Sequence, residues 1–252
     1  MEKILNLYKK VGETPLERLE RFRLENSEYK DVKMSYAGRL DPMADGVLLV
    51  LVGEECKNRQ EYLELAKEYS FDVLWEIETD TYDILGKIIS VSDFSSRIVS
   101  KEISLEKFKG KILQKYPPYS SKTIDGVPLF ELARKNILAE DEIPTREVEI
   151  YELAKTGDFK ISKKDLSKMI FDKISLVKGD FRQDEIKDGW EKFFAGADKD
   201  FFDISSFKIK ASSGTYVRSL VNQMGDDSGC GAIALRITRE KIEGFKIEDS
   251  MK

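Results

Sequence analysis

Residues 35 to 48 read Ser-Tyr-Ala-Gly-Arg-Leu-Asp-Pro-Met-Ala-Asp-Gly-Val-Leu, and the interpretation of this stretch decides that of the whole chain. Pro42 fixes its own φ and biases Asp41 away from helix, which puts the Asp41 carboxylate on a loop. Gly46 lets the backbone turn sharply, and an apolar run from Val47 to Val52 follows as a strand. A loop carboxylate held between rigid turn residues is a candidate catalytic group. Taken alone, a Leu-Asp-Pro tripeptide most often marks an ordinary turn. A calcium loop is a further reading, since Asp41, Asp45 and Gly46 match three positions of one. It fails because its third position is Met43 and its twelfth, which should be a bidentate Glu, is Val52.

The 252 residues suit one large domain or two small ones. With 41% apolar and 35% charged residues the chain reads as a soluble, heavily charged globular protein. No apolar run approaches the roughly 18 residues of a membrane helix, and Met1 to Leu7 lack the features of a signal peptide. Cys56 and Cys230 form no Cys-x-x-Cys pair, so a reduced, cytoplasmic protein with two free thiols is expected. There is no histidine, which removes Ser-His and Cys-His nucleophile systems and zinc sites built on His. Glycine-rich phosphate loops are absent as well. Chemistry must come from Asp, Glu, Tyr, Lys, Arg, Ser or Cys, and a mechanism built on one Asp fits that menu. The net charge is -5, yet residues 107 to 136 hold seven cations against two carboxylates, an excess of five. A local basic face on an acidic protein is one reading of that excess, and a solvated helix face is the other.

Ile4, Leu5 and Leu7 suggest a first strand. Thr14-Pro15-Leu16-Glu17 predicts a helix start with a capping box, and Leu16, Leu19 and Phe22 share its apolar face. A helix is expected over 57–67, strands from Tyr69 to Ile77 and over 86–91, and a helix over 104–113 capped by Ser104. Residues 117–121 read as extended or turning, Leu129 to Lys135 as helix and Val148 to Leu153 as strand. Residues 155–200 hold 11 basic and 10 acidic residues and two amphipathic patterns, one through Leu166, Met169 and Ile170, the other through Ile186, Trp190, Phe193 and Phe194. They read as a helical insertion between two strands. A strand over 202–211, a helix to about Met224 and a last strand or loop complete the chain.

Five segments, in order, carry a family resemblance. Gly38 to Leu48 fills every fixed position of Gly-x-Leu-Asp-Pro-x-Ala-x-Gly-Val-Leu. Lys67-Glu68-Tyr69, Thr79-Asp80-Thr81-Tyr82-Asp83 with Gly86, Pro117 to Lys122 with Gly126 and Ala133-Arg134, and Ser213-Gly214-Thr215-Tyr216-Val217-Arg218 follow. Together they resemble the TruB family of tRNA pseudouridine synthases over most of the chain outside 155–200. The resemblance implies an α+β pseudouridine synthase fold, with a mixed, mostly antiparallel sheet flanked by helices. It implies isomerisation of a T-arm uridine of tRNA (position 55) with Asp41 as nucleophile and without cofactor or metal. Arg218 would pair with Asp41 and Tyr69 would stack on the target base, its hydroxyl available as a general base. Asp80 and Lys122 would position the RNA or the loops, and Lys9 matches a family lysine near the first strand.

The chain departs from the family pattern at several points. Tyr36 stands where bacterial members usually have His, in the place of the extruded base. Ser213 replaces a family Lys, and Lys122 falls one place early. The expected organisation is a single catalytic domain over 1–252, acting as a monomer, without the C-terminal PUA RNA-binding domain of most bacterial members. A different RNA uridine as substrate, or a non-catalytic tRNA-folding chaperone, are the competing readings. A pure binder has no need of the Asp41, Tyr69 and Arg218 set.

Overall fold

The computed structural model describes residues 2–92 and 104–252. β1 (Ile4–Lys9) leads into α1 (Pro15–Glu25), where Thr14 and Glu17 close the expected capping box. Such a cap contributes about 1 kcal/mol. Leu19 and Phe22 pack inward, whereas Leu16 is exposed at the helix start. β2 (Met34–Ala37) and β3 (Ala44–Val52) flank the Asp41 loop, and α2 (Arg59–Glu64) is shorter than the sequence suggested, because a 3-10 turn occupies Gly53–Asn58. β4 (Lys67–Trp75), β5 (Ile77–Thr79) and β6 (Ile88–Val91) follow.

The helix expected over 104–113 is not formed. Leu105–Phe108 make one 3-10 turn, Ser104 caps nothing with its side chain, and Gly110–Lys115 is a strand, β7. Gly110, at φ 75, breaks any helix there. β8 (Thr123–Ile124) and β9 (Val127–Pro128) form a small hairpin about Asp125-Gly126, both with positive φ, and α3 (Leu129–Arg134) follows. β10 (Thr145–Ser162) runs far beyond the expected Leu153. The helical part of 155–200 is therefore confined to α4 (Lys163–Leu176) and α5 (Gln183–Gly196). β11 (Phe201–Ala211), α6 (Val217–Ser228), β12 (Ala232–Ile242) and β13 (Phe245–Lys246) complete the order.

The main sheet runs β1-β3-β12-β4-β11-β10-β7, with β2 on β3 and β13 on β12. Every pairing in it is antiparallel except β3 with β12, so the sheet is mixed and mostly antiparallel, as expected. In that parallel pair Arg239 stands opposite Gly46, and across its other edge Arg239 stands opposite Tyr69 of β4. A Cβ on Gly46 would meet the Arg239 carbonyl oxygen at 2.3 Å, so glycine is what lets the two strands approach. The register thus carries the start of β3, with the Asp41 loop before it, to Arg239 and Tyr69. α6 packs on one side of the sheet through Leu220, Val221 and Met224. α4 and α5 bury Leu166, Ile170, Ile186 and Trp190 in a second cluster, with Phe202 and Ile204 of β11.

Candidate active site

The Asp41 loop is staked from below by two buried cations. The Lys9 ammonium donates to the carbonyls of Ala44 at 2.6 Å and Lys10 at 2.9 Å. Burial pushes its pKa down to about 8. Arg239, also buried, donates from Nε to Val47 at 2.7 Å and from Nη1 and Nη2 to the carbonyls of Arg39 and Gly38 at 3.1 and 3.4 Å. Leu40 and Met43 sink into the core on either side of Asp41, whose own side chain stays 36% exposed. These contacts pin the loop backbone and leave the Asp41 carboxylate and the Arg39 side chain facing out.

Arg218 reaches Asp41 from the first turn of α6. Gln114 of β7 fixes that turn by accepting from the Tyr216 amide at 2.8 Å and donating to the Tyr216 carbonyl at 3.1 Å. Arg218 is buried, with Nε on Asp41 Oδ2 at 2.8 Å, Nη1 on the Thr81 carbonyl at 2.6 Å and Nη2 on the Tyr119 carbonyl at 3.3 Å. A second carboxylate, Asp83, lies 3.6 Å from the same Nε. Burial works to lower the pKa of Arg218, and Asp41 and Asp83 outweigh it, holding the guanidinium above its ordinary value. Burial raises the Asp83 carboxyl, against the opposing pull of Arg218 and a hydrogen bond from Thr81. The Thr79 to Gly86 segment is knotted by its own side chains, with Thr79 Oγ1 on the Asp83 carbonyl at 2.6 Å. A Cβ on Gly86 would lie 2.4 Å from Thr81 Oγ1.

Asp41 stands where two cavities meet, of about 460 and 520 Å³. The larger is lined by Tyr69, Lys67, Arg146, Tyr216 and Arg239, the smaller by Tyr36, Arg218, Tyr119, Arg134 and Phe181. Tyr69 lines the larger cavity and Tyr36 the smaller, with Tyr69 opposite Arg239 in the β4–β12 register. Gly214, at φ 82, leaves room for the Arg146 guanidinium, which a Cβ there would overlap at 2.1 Å.

The other expected residues sit elsewhere. Lys9 lines neither cavity and is spent on backbone carbonyls beneath the loop. Asp80 accepts from the Lys87 amide at 2.9 Å and takes a bidentate pair from Arg182. Lys122 is exposed outside both cavities, with its ammonium over the Tyr116 ring at 5.5 Å. The local charge excess over 107–136 is largely neutralised by the fold. Lys107 pairs with Asp227, Lys109 with Glu106 at 2.6 Å, Lys111 with Glu147 at 3.5 Å, Lys115 with Glu140 at 3.1 Å and Arg134 with Asp180 at 3.6 Å. Apart from Lys67, the cations at the cavities are arginines scattered along the chain, and Arg39 and Arg146 have no carboxylate partner among the described residues. Sequence reasoning did not single out Arg239, Asp83, Gln114, Phe181 or Arg182. Asp83 stood inside a quoted motif, while Arg182 gave no signal, because only the fold brings it near Asp80.

Comparison with known proteins follows the same line. The family model for the TruB family pseudouridylate synthase, N-terminal domain, matches residues 26–169. A tRNA pseudouridine synthase B from Clostridium acetobutylicum is 29% identical over 97% of this chain and 68% of its own length. One from Lactobacillus gasseri is 31% identical over 87% of this chain and 62% of its own length. One from Aquifex aeolicus is 28% identical over 100% of this chain and 72% of its own length. The chain thus spans about two thirds of the length of the relatives it matches. Among solved structures, a Cbf5-Nop10-Gar1 complex has a chain of like fold, with a TM-score of 0.55 at 18% identity, over 96% of this chain and 49% of that one.

Proposed function

Because this chain belongs to the TruB family of pseudouridylate synthases, we propose that it converts a T-arm uridine of tRNA to pseudouridine with Asp41 as nucleophile. The observation that carries this reading is the Asp41 carboxylate at the junction of two cavities, held by a buried guanidinium at 2.8 Å, with a tyrosine lining each cavity.

The isomerisation breaks the N1–C1′ bond, turns the uracil and joins C5 to C1′. One proton leaves C5 and one arrives at N1, so atoms and electrons balance without an oxidant or an energy source. A nucleophile that attacks and then departs is sufficient, and a carboxylate does both. Attack on the base and attack on the sugar are equally balanced routes. Arg218 keeps the carboxylate aimed through its Nε hydrogen bond at 2.8 Å. Tyr69 offers its ring to the base, and Arg239, its neighbour across the β4–β12 pair, anchors the loop backbone. Lys9 and Asp80 act in this reading as positioning residues. The target uridine is stacked in the folded arm, so it has to be extruded before it reaches the carboxylate.

In this reading residues 1–252 form one catalytic domain that acts as a monomer in the cytoplasm, with α4 and α5 as an insertion. Cys56 and Cys230 are both free thiols, in keeping with a reducing compartment. The test is turnover by the purified protein on a T-arm stem-loop transcript, with modified positions mapped. Pseudouridine at the T-arm uridine over many turnovers is expected. Tight RNA binding without conversion would favour the chaperone, and conversion only at another uridine would replace the substrate.

A further inference from the structure

The connection between α4 and α5 carries Asp180, Phe181 and Arg182 into the cavity that Asp41 and Arg218 share. It lies past residue 169, where the family match ends inside α4. Its shape is fixed by its own side chains. Gln183 accepts from the Phe181 amide at 2.8 Å and donates to the carbonyls of Val177 and Gly179 at 3.1 and 2.7 Å. Arg182 sits at φ 62, a conformation that disfavours any residue with a Cβ. Its side chain reaches across the cleft to Asp80, at 2.6 and 3.2 Å, and covers the Tyr119 ring at 4.1 Å. Arg134 holds the loop again through the Asp180 carbonyl.

These anchors engage Asp180 and Arg182 and leave the Phe181 ring turned to the cavity. The ring is half-buried, backed by the second core cluster, and its open side lines the cavity with Tyr36, Tyr119 and Phe130. The unpaired Arg39 lines the same space. Aromatic rings interleaved with guanidinium groups suit unstacked bases and backbone phosphates.

We infer that the α4–α5 connection is an RNA-contacting element of the cleft, in which a base of the substrate strand stacks on Phe181 and Arg182 is the positioning residue that holds the platform through Asp80 and Tyr119. The inference rests on the proposed function for RNA as the ligand, and not on Asp41 as the nucleophile.

The experiment uses the full chain and a T-arm stem-loop RNA. It measures steady-state conversion, equilibrium binding by fluorescence anisotropy, and thermal unfolding as a check on folding. Phe181→Ala is expected to raise KM and weaken binding by about tenfold, with kcat within about twofold of the parent, and Phe181→Trp to restore both. Arg182→Ala is expected to raise KM as well, with Arg182→Lys only partly restoring it because the bidentate pair is lost. Unchanged KM and binding in Phe181→Ala overturn the inference. So does a Trp variant as weak as the Ala variant, or a fall in melting temperature that accounts for the loss. If the parent chain binds the RNA without converting it, the functional reading fails while the binding comparison still decides the role of Phe181. If the parent chain does not bind the RNA, both fall.

Discussion

Arg218 and Arg182 grip the same two loops, one from the first turn of α6 and the other from the α4–α5 connection. Arg218 donates to the carbonyls of Thr81 and Tyr119, at 2.6 and 3.3 Å, and Arg182 takes the Asp80 carboxylate and the Tyr119 ring beside them. The segments around 80 and 119 are therefore clamped on both sides, and the carboxylate partner of Arg218 inherits that order. The relationship ties the insertion between β10 and β11 to the orientation of Asp41.

Arg218 makes a prediction about stability and activity together. In Arg218→Ala the buried Asp83 loses its compensating charge, so unfolding free energy should fall by about 3–5 kcal/mol in urea titrations. Adding Asp83→Asn should recover part of that stability, because the uncompensated charge is then gone. Activity should stay low in both, since neither variant aims Asp41. Recovery of turnover in the double variant would mean that Arg218 serves Asp83 and not Asp41.

Lys9 gives a pH dependence with a definite sign. Its folded pKa of about 8 lies below the ordinary value of 10.5. The unfolded chain therefore binds more protons between those values, and stability rises with pH across that window. The gain is complete above about 10.5 and is lost as pH falls through about 8. Between pH 8 and 9.5 the parent chain should gain on the order of 1 kcal/mol relative to Lys9→Met in urea unfolding. A constant difference between the two proteins over that range would contradict a buried, charged Lys9.

Tyr36 stands where the family resemblance leads one to expect histidine, and its hydroxyl has no hydrogen-bond partner among the described residues, although its ring lines the smaller cavity. Tyr36→Phe should keep kcat/KM within about threefold, and Tyr36→Ala should lower it by about tenfold or more through lost stacking. Equal losses in both would show that the hydroxyl is the working group.

Gly46→Ala probes the parallel pair at the centre of the sheet. The added Cβ would lie 2.3 Å from a backbone oxygen of Arg239, at a φ of 110. Neither backbone can yield cheaply, so the cost should be roughly 3 kcal/mol or more, read as a lowered melting temperature or loss of folded protein. A variant as stable as the parent would place β3 and β12 further apart than described.

Much of this was legible before the fold was in hand, for physical reasons that differ by residue. The Thr14 to Glu17 cap and the apolar run of β3 are local, and local chemistry determines them. Asp41 and Arg218 were found as a pair because each sits in a dense motif, though 177 residues separate them. The helix expected over 104–113 failed because its apolar spacing also suits a strand, and Gly110 at positive φ decides between them. The basic face over 107–136 failed for the opposite reason. Its counter-charges, from Glu140, Glu147 and Asp227, lie outside that window and are brought in only by the sheet and α6. Arg182 was illegible because a single arginine in a charged helical tract says nothing until the chain folds it against Asp80.

The most direct measurement is pseudouridine formation by Asp41→Asn on a T-arm stem-loop, alongside RNA binding and thermal unfolding of the same protein. The amide keeps the shape of the side chain and removes its nucleophilic charge. The account predicts no detectable pseudouridine, with RNA affinity near that of the parent and an intact fold. Turnover at the parent's rate in that variant would contradict Asp41 as the nucleophile and, with it, the mechanism proposed for this cleft.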